Sequence, residues 1–165
     1  MKTVNTFLGK MIPPTWAHLK IIRDMMDSIG STEVYTTWKS QYGVDISNKL
    51  LAWQTEVIPE LDRAIPLLVV DDMWDWADQL IERHDGSGKT VVIWSGSDRD
   101  RDIRRVIEYI NSNKTSMSLR HHKVPRGDKS ISGTVARKAA DETDWFSFKS
   151  KSPCESLFES LSTHK

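Results

Sequence analysis

Strand and helix patterns alternate along most of this 165-residue chain. Apolar runs typical of strands occur at 4–8, 33–38, 65–70, 90–94 and 118–124. The intervening segments carry apolar residues at helical spacing, and in the first of them these are Leu19, Ile22, Met26 and Ile29. Strands and helices in this order form βαβ units with right-handed crossovers. The pattern therefore predicts an α/β fold, a single Rossmann-like, three-layer domain over residues 1–165 with a mainly parallel five-stranded sheet.

Capping residues indicate where the helices begin. Thr15 is a candidate N-cap for the first helix, and Ser47 for a second that extends to about Val57. Two aspartates at 71–72 precede a predicted helix over 73–83. Further helices are predicted from Asp98 onward, over 134–140 and over 154–161.

The composition excludes several classes of protein. Basic and acidic residues number 23 each, and this balance argues against general binding to nucleic acid or to a membrane surface. No apolar run is long enough to span a bilayer, and the first residues form a strand pattern rather than a secretory signal. The single cysteine, Cys154, excludes an intrachain disulfide and fits a reducing compartment. We therefore expect a cytoplasmic protein.

Three loops follow the first, fourth and fifth predicted strands, at 9–18, 95–99 and 125–137. The carboxyl ends of parallel strands lie at one edge of a sheet, and open sheets bind their ligands there. We expect these three loops to form one cleft.

The first of these loops has the features of a phosphate site. Gly9 permits a tight turn, and two prolines stiffen the segment that precedes Thr15. His18 falls in the first turn of the next helix, whose free N–H groups and dipole attract anions. A histidine there would add a donor to the same anion. An ordinary strand–loop–helix corner with a surface histidine would have the same sequence.

The loop after the fifth strand leads into a second helix start with polar side chains. Ser132 and Thr134 supply hydroxyls there, and Arg137 lies one turn further on the same side. Arginine is well suited to forked contacts with phosphate oxygens. A capped helix with a solvated arginine explains the segment equally well.

Other polar and aromatic clusters favour structural roles. His121 and His122 are adjacent in a strand and point to opposite faces, so they cannot easily chelate one ion. Trp74 and Trp76 cannot share one helix face, which makes one of them a candidate for a partner contact, although packing is the commoner role. No Ser/His/Asp or Cys/His set suited to nucleophilic catalysis is apparent.

Taken in order, four short motifs resemble the HxGH-type nucleotidyltransferases, a superfamily that includes adenylyl- and cytidylyltransferases. Thr15-Trp16-Ala17-His18 is similar to the first signature, which has His or Thr first and Gly-His last. Gly96-Ser97-Asp98-Arg99 resembles the Gly-x-Asp turn beneath the nucleotide. Ile131-Ser132-Gly133-Thr134, with Arg137, resembles the second signature, Ile-Ser-x-Thr-x-x-Arg. The segment 144–148 before Pro153 resembles the closing segment.

The resemblance covers residues 3–153 and is nearest to small stand-alone members, including virus-type ones with a Pro-Pro-Thr loop; a viral member would act in the host cytoplasm. It implies that a small phosphorylated acceptor attacks the α-phosphate of a nucleoside triphosphate in line and that pyrophosphate leaves. ATP is favoured over CTP because the second motif ends in Arg137. Mg²⁺ would bridge phosphate oxygens, with no protein side chain as its ligand. A homo-oligomer is one option for the assembly.

The resemblance also assigns roles to residues. The catalytic group would be His18, Thr15, Lys10 and Arg137. The nucleotide would be bound by Gly9, Thr15, His18, Gly96, Asp98, Arg99, Ser132, Thr134 and Arg137. Lys39 and Lys49 are further candidates for binding the acceptor.

One position departs from the pattern. Ala17 stands where the signature has glycine, and Trp16 beside it is bulky. That glycine lets the base or ribose approach the backbone, and a methyl group would crowd it. Two alternatives follow: a nucleotide-binding module that has lost turnover, or a protein-interaction module with Trp74 or Trp76 at its interface.

Overall fold

A five-stranded sheet in the order β3-β2-β1-β4-β5 forms the centre of the molecule. The computed structural model describes residues 2–113, 116–125 and 132–163. The strands are β1 Thr3–Leu8, β2 Ser31–Thr37, β3 Leu67–Val70, β4 Thr90–Gly96 and β5 Ser118–Val124. All neighbouring strands run parallel, and Phe7 of β1 is in register with Val34 of β2 and Trp94 of β4. The predicted α/β class and parallel sheet are confirmed.

The helices lie on both faces of this sheet. They are α1 Trp16–Asp27, α2 Ile46–Ala52, α3 Met73–His84, α4 Asp100–Ser112, α5 Gly133–Asp141, α6 Trp145–Lys151 and α7 Glu155–Thr163. A π turn at Trp53–Val57 and a 3₁₀ turn at Ile58–Glu60 extend α2, and a second 3₁₀ turn, Ser97–Arg99, precedes α4. Within the described part of the chain, no helix combines the length and the apolar character that crossing a membrane requires.

Two hydrophobic cores result, one on each face. The first contains Leu19 and Ile22 of α1 together with side chains from α5, α6 and α7. The second contains Leu80 of α3 and Val106 of α4. A parallel sheet has to be covered on both faces, which explains why its strands read as apolar runs rather than as strict alternations.

Several local predictions need correction. Helix α1 ends at Asp27, so Ile29 lies outside it and is 89% exposed; Met25 is buried on the inner face instead. The chain turns there through Gly30, where a Cβ would lie 2.2 Å from the carbonyl oxygen of Thr3. Asp45 rather than Ser47 caps α2, because its carboxylate accepts the N–H of Asn48.

Three further points differ from the sequence analysis. The strand predicted over 65–70 begins only at Leu67, directly after a proline. Helix α6 lies in a segment for which the sequence analysis gave only a motif. Neither tryptophan proposed as a partner contact is exposed. Trp76 is 1% exposed and donates to the hydroxyl of Thr6, while Trp74 is half-buried against Tyr109 and Arg105.

Candidate active site

A cavity of about 760 Å³ opens at the carboxyl edge of the sheet. The described parts of the three expected loops do meet, because the cavity is lined by residues that follow β1, β4 and β5. Residues 126–131 of the third loop, with Ile131 of its motif, lie outside the described residues. It also lies beside the point where the chain crosses from one half of the sheet to the other, between β1 and β4. Of the predicted site residues, it is lined by Gly9, Lys10, Thr15, His18, Gly96, Asp98, Arg99, Ser132, Thr134 and Arg137.

The start of α1 is held by a reciprocal pair of hydrogen bonds. The Thr15 hydroxyl accepts the backbone N–H of His18 at 3.4 Å, and Nδ1 of His18 accepts the backbone N–H of Thr15 at 3.0 Å. This is a capping box with histidine in the place usually taken by Glu or Gln. Because Nδ1 must offer its lone pair to the Thr15 N–H, the neutral ring carries its proton on Nε2.

The environment keeps the His18 ring neutral. Burial lowers the pKa of His18 from 6.5 to about 4. The His18 ring is half-buried and lines the cavity. Its centroid lies 6.2 Å from the centroid of the Phe7 ring. No hydrogen-bond partner for Nε2 exists among residues 2–113, 116–125 and 132–163. The imidazole therefore offers a neutral N–H donor at physiological pH.

Thr15 itself is fully buried and its hydroxyl is engaged by the cap. Its position therefore supports an indirect role through His18 better than the expected direct contact with phosphate.

Arg137 links the two helix starts. It donates to the carbonyl oxygen of Ile12 at 2.6 Å and to the Thr134 hydroxyl at 3.3 Å. The guanidinium also lies over the ring of Tyr42, 4.3 Å from its centroid. Ser132 caps α5 by accepting the N–H of Val135. The arginine is thus held in place before any ligand arrives, and Arg137 is part of the cavity lining.

The three candidate lysines have different environments. Lys10 is exposed at the rim of the cavity. Lys49 is buried, and its ammonium group donates to the carbonyl oxygens of Lys10 and Thr37 at 2.9 Å and to the Thr36 hydroxyl at 3.2 Å. An ammonium group has three N–H donors, so these contacts leave none for an acceptor. Burial lowers the pKa of Lys49 to about 8. Lys49 therefore stabilises the ends of β1 and β2. Lys39 is exposed and is not among the residues that line the cavity.

The turn after β4 forms the opposite wall. A Cβ at Gly96 would lie 2.7 Å from a carboxylate oxygen of Asp98, so the Asp98 side chain packs closely against this glycine. Asp98 is exposed, and Arg99 is paired with Asp102 at 3.3 Å. Asp98 and Arg99 both line the cavity, so this wall carries side chains of both signs.

The C-terminal helices hold the loop that precedes α1. The Ser152 hydroxyl donates to the carbonyl oxygen of Pro14 at 2.5 Å, and the indole of Trp16 donates to the carbonyl oxygen of Lys149 at 3.4 Å. Together with the bond from Arg137 to Ile12, these contacts form what we call the C-terminal clasp. Ser152 and Tyr42 had no local signal in the sequence, because their partners lie far away along the chain.

The two neighbouring histidines of β5 do point to opposite faces. His122 stacks on Trp94 with ring centroids 3.9 Å apart, while His121 contacts Ser95 on the other face. Ser95 lines the cavity, and the sequence analysis missed this pair because its members belong to different strands.

Comparison with solved structures adds independent information on the fold. Nicotinic acid mononucleotide adenylyltransferase of Plasmodium falciparum, complexed with APC, matches 98% of this chain and 94% of its own, with a TM-score of 0.65 and 17% identity. A putative nicotinate-nucleotide adenylyltransferase of Vibrio parahaemolyticus matches 98% and 99%, with a TM-score of 0.64 and 14% identity. TmcAL of Thermotoga maritima, bound with alpha-thio ATP, matches with a TM-score of 0.58 and 14% identity.

The chain shares its fold with these adenylyltransferases. It spans 55% of TmcAL but nearly the whole length of the two nucleotidyltransferases. No protein-family model matches the sequence, and no curated protein matches it. At identities of 14–17% the likeness establishes the nucleotidyltransferase fold and leaves the reaction to be argued from the site.

Proposed function

We propose that the protein transfers a nucleoside monophosphate, AMP from ATP, to a small phosphorylated acceptor and releases pyrophosphate. The observation that carries this proposal is the orientation of His18, whose cap directs one nitrogen to the backbone and leaves a neutral Nε2–H at the cavity. Two helix starts, those of α1 and α5, border the same cavity. Helix N-termini favour anions, so this wall suits a triphosphate.

Each group has a distinct task in the transfer. His18 Nε2–H would donate to an oxygen of the α-phosphate, where negative charge grows as the acceptor oxygen attacks and the bond to pyrophosphate breaks. Lys10 and Arg137 would hold the β- and γ-phosphates and stabilise the leaving pyrophosphate. A preorganised donor is effective because it need not reorient during the reaction. The rest of the rate enhancement would come from holding the two phosphates in line.

Mg²⁺ fits this scheme as a partner of the nucleotide. The described residues include no group of three or more His, Cys, Asp or Glu side chains arranged to hold a metal ion. Mg²⁺ is commonly held by substrate phosphates and water, and there it offsets phosphate charge. Among the described residues that line the cavity, Asp98 is the acidic one.

The decisive experiment measures pyrophosphate release with ATP, CTP, GTP and UTP, each with Mg²⁺ and a panel of phosphorylated acceptors. Nicotinic acid mononucleotide comes first, because two of the similar structures belong to an enzyme named for it. We expect release with ATP and one acceptor, reduced about 100-fold in His18→Gln. Nucleotide binding without release under any condition would instead favour the binding module.

A further inference from the structure

A buried serine–histidine pair lies beside the cavity and has no task in the transfer proposed above. Ser95, near the end of β4, is 4% exposed, and its Oγ is 2.6 Å from Nε2 of His121 on β5. The register of the two strands places Ile93 opposite His121 and Ser95 opposite Lys123. Ser95 and His121 therefore project from the same face of the sheet, toward α4.

The surroundings decide which atom of this pair carries the proton. Nδ1 of His121 lies 3.8 Å from a carboxylate oxygen of Asp100, the first residue of α4. Hydrogen bonding to Lys123 holds the pKa of Asp100 below its usual range, with contacts at 2.6 Å to Lys123 and 3.1 Å to Arg104. Burial lowers the pKa of His121, so the ring is neutral at pH 7. We assign the proton of the neutral ring to Nδ1, because that nitrogen faces the negative charge of Asp100 while Nε2 faces the Ser95 hydroxyl.

The consequence concerns the Ser95 hydroxyl. Nε2 of His121 has a free lone pair, so it accepts the hydroxyl hydrogen of Ser95. Ser95 Oγ then has lone pairs to offer but no hydrogen, and within the described residues it has no second partner. Phosphate oxygens at neutral pH are acceptors and cannot use such a group. A ligand N–H or O–H can.

The nearby walls also differ from the phosphate wall. On this side the cavity is bordered by the apolar side chains of Leu8 and Ile103 and by the carboxylate of Asp98. Apolar walls with one buried acceptor suit an uncharged, partly flat group.

We propose that Ser95, oriented by His121, binds a neutral hydrogen-bond donor on the nucleoside part of the ligand, either a sugar hydroxyl or an exocyclic amine of the base. This inference rests on the proposed function, since it assumes that a nucleotide occupies the cavity. Ser95 is the contact residue, and His121 is a positioning residue that acts through it.

The first test needs no mutation. Calorimetry measures the affinity of the wild-type protein for ATP and for three analogues that each lack one donor: 2′-deoxy-ATP, 3′-deoxy-ATP and purine riboside triphosphate. We expect one analogue to bind about 10-fold more weakly than ATP, since an acceptor left unpaired in a buried site costs affinity. The analogue affected tells whether the donor is a sugar hydroxyl or the base amine. Equal binding of all four compounds overturns the inference.

Variants then assign the discrimination to its residues. In Ser95→Ala we expect ATP to bind as weakly as the affected analogue, while the analogue itself binds as before. His121→Ala is expected to reduce the same discrimination, because the Ser95 hydroxyl is no longer oriented. The matched control is His122→Ala, on the opposite face of β5, which should keep the preference. An equal loss for ATP and every analogue in Ser95→Ala would mean a purely structural role and overturn the proposal.

The inference and the proposed function fail in different ways. If no triphosphate binds the wild-type protein, both are wrong. If ATP binds and pyrophosphate is released, but Ser95→Ala still prefers ATP over the affected analogue, the assignment of Ser95 alone is wrong.

Discussion

His18 uses its two ring nitrogens for different purposes. Nδ1 takes part in the cap of α1, and Nε2–H remains for a ligand. The two roles separate in His18→Gln, because a glutamine oxygen can accept the same Thr15 N–H as Nδ1 does. Glutamine keeps an amide N–H, but on a longer and more flexible side chain than the rigid ring. We expect this variant to melt close to the wild type while turnover falls about 100-fold, since the preorganised ring N–H is lost. His18→Ala should lose the cap as well and be less stable by about 1 kcal/mol. Wild-type turnover in either variant would remove His18 from the mechanism.

The same histidine makes stability depend on pH. Burial lowers its pKa to about 4 in the folded chain, against 6.5 when unfolded. Between these values the unfolded chain binds the proton more readily, so falling pH favours unfolding. We expect the free energy of unfolding to fall by up to about 3 kcal/mol from pH 6.5 to 4, an upper limit because the ring is partly solvated. Above pH 6.5 this contribution is fully present.

Urea unfolding at a series of pH values measures this effect. His18→Gln is the control, because it has no titrating group at this position. The two proteins should have similar stability near pH 7 and diverge toward pH 4, where the wild type becomes the less stable of the two. Identical pH profiles would contradict the assignment to His18.

Ala17 tests whether the departure from the glycine motif matters. It is exposed in the first turn of α1 and borders the cavity. We expect Ala17→Gly to bind ATP as well as or better than the wild type, because the methyl group no longer limits the approach of the ligand. Stability should fall by up to about 1 kcal/mol, since glycine is a poor helix former. Calorimetry and thermal unfolding measure the two effects, and a clear loss of affinity would mean that Ala17 is fitted to its ligand.

At the level of the elements, the C-terminal clasp fixes the loop between β1 and α1. The Ser152 hydroxyl donates to Pro14 and accepts the N–H of Cys154. Ser152→Ala leaves both buried partners without a hydrogen bond, and we expect a loss of about 1–3 kcal/mol in stability. Hydrogen exchange should also increase in residues 9–15. Ser150→Ala is the control, since its exposed hydroxyl bonds only within α6, to the carbonyl oxygen of Ser147. Unchanged exchange in the loop would show that the clasp does not restrain it.

The elements also show what the sequence could predict. Parallel strands, most helix starts and the edge that carries the cleft follow from periodicity, capping residues and strand order, all of which are local signals. Helix ends were less predictable, as Ile29 illustrates: its spacing fits the apolar face, but the chain leaves the helix two residues earlier. Asp45 and Ser47 are both good caps, and only the structure selects one.

Most of the cleft residues were found because the motifs lie next to predicted strands. The contacts between those residues could not be predicted in the same way. Lys49 appears in the sequence as a free cation, and it is the fold that surrounds it with three oxygens. Two other contacts form only after the strands and helices have packed. They are the contact of Arg137 with the Tyr42 ring and the hydrogen bond between Ser95 and His121.

For the molecule as a whole, the first core depends on the last two helices. Phe148, Cys154, Leu157 and Leu161 are all buried there, together with Leu19 and Ile22 of α1. A chain that ends at residue 143 exposes this face to water. We expect it to lose cooperative thermal unfolding, measured by circular dichroism, because several fully buried apolar side chains are missing at once. Removal of residues 162–165 should leave the transition in place. A cooperative transition in the shorter chain would contradict this account of the core.

The clasp also has a consequence for the order of synthesis. The loop that carries the motif of His18 leaves the ribosome early, whereas its anchors follow 125 residues later at Arg137 and 138 residues later at Ser152. At roughly 5–20 residues per second, the nascent loop waits on the order of ten seconds or more for the contacts that shape it. During that interval the nascent chain already contains the residues of β1 and α1, but the contacts of the loop between them with Arg137 and Ser152 are missing. The loop between β1 and α1 therefore gains its anchors only late in translation, after Arg137 and Ser152 have been added.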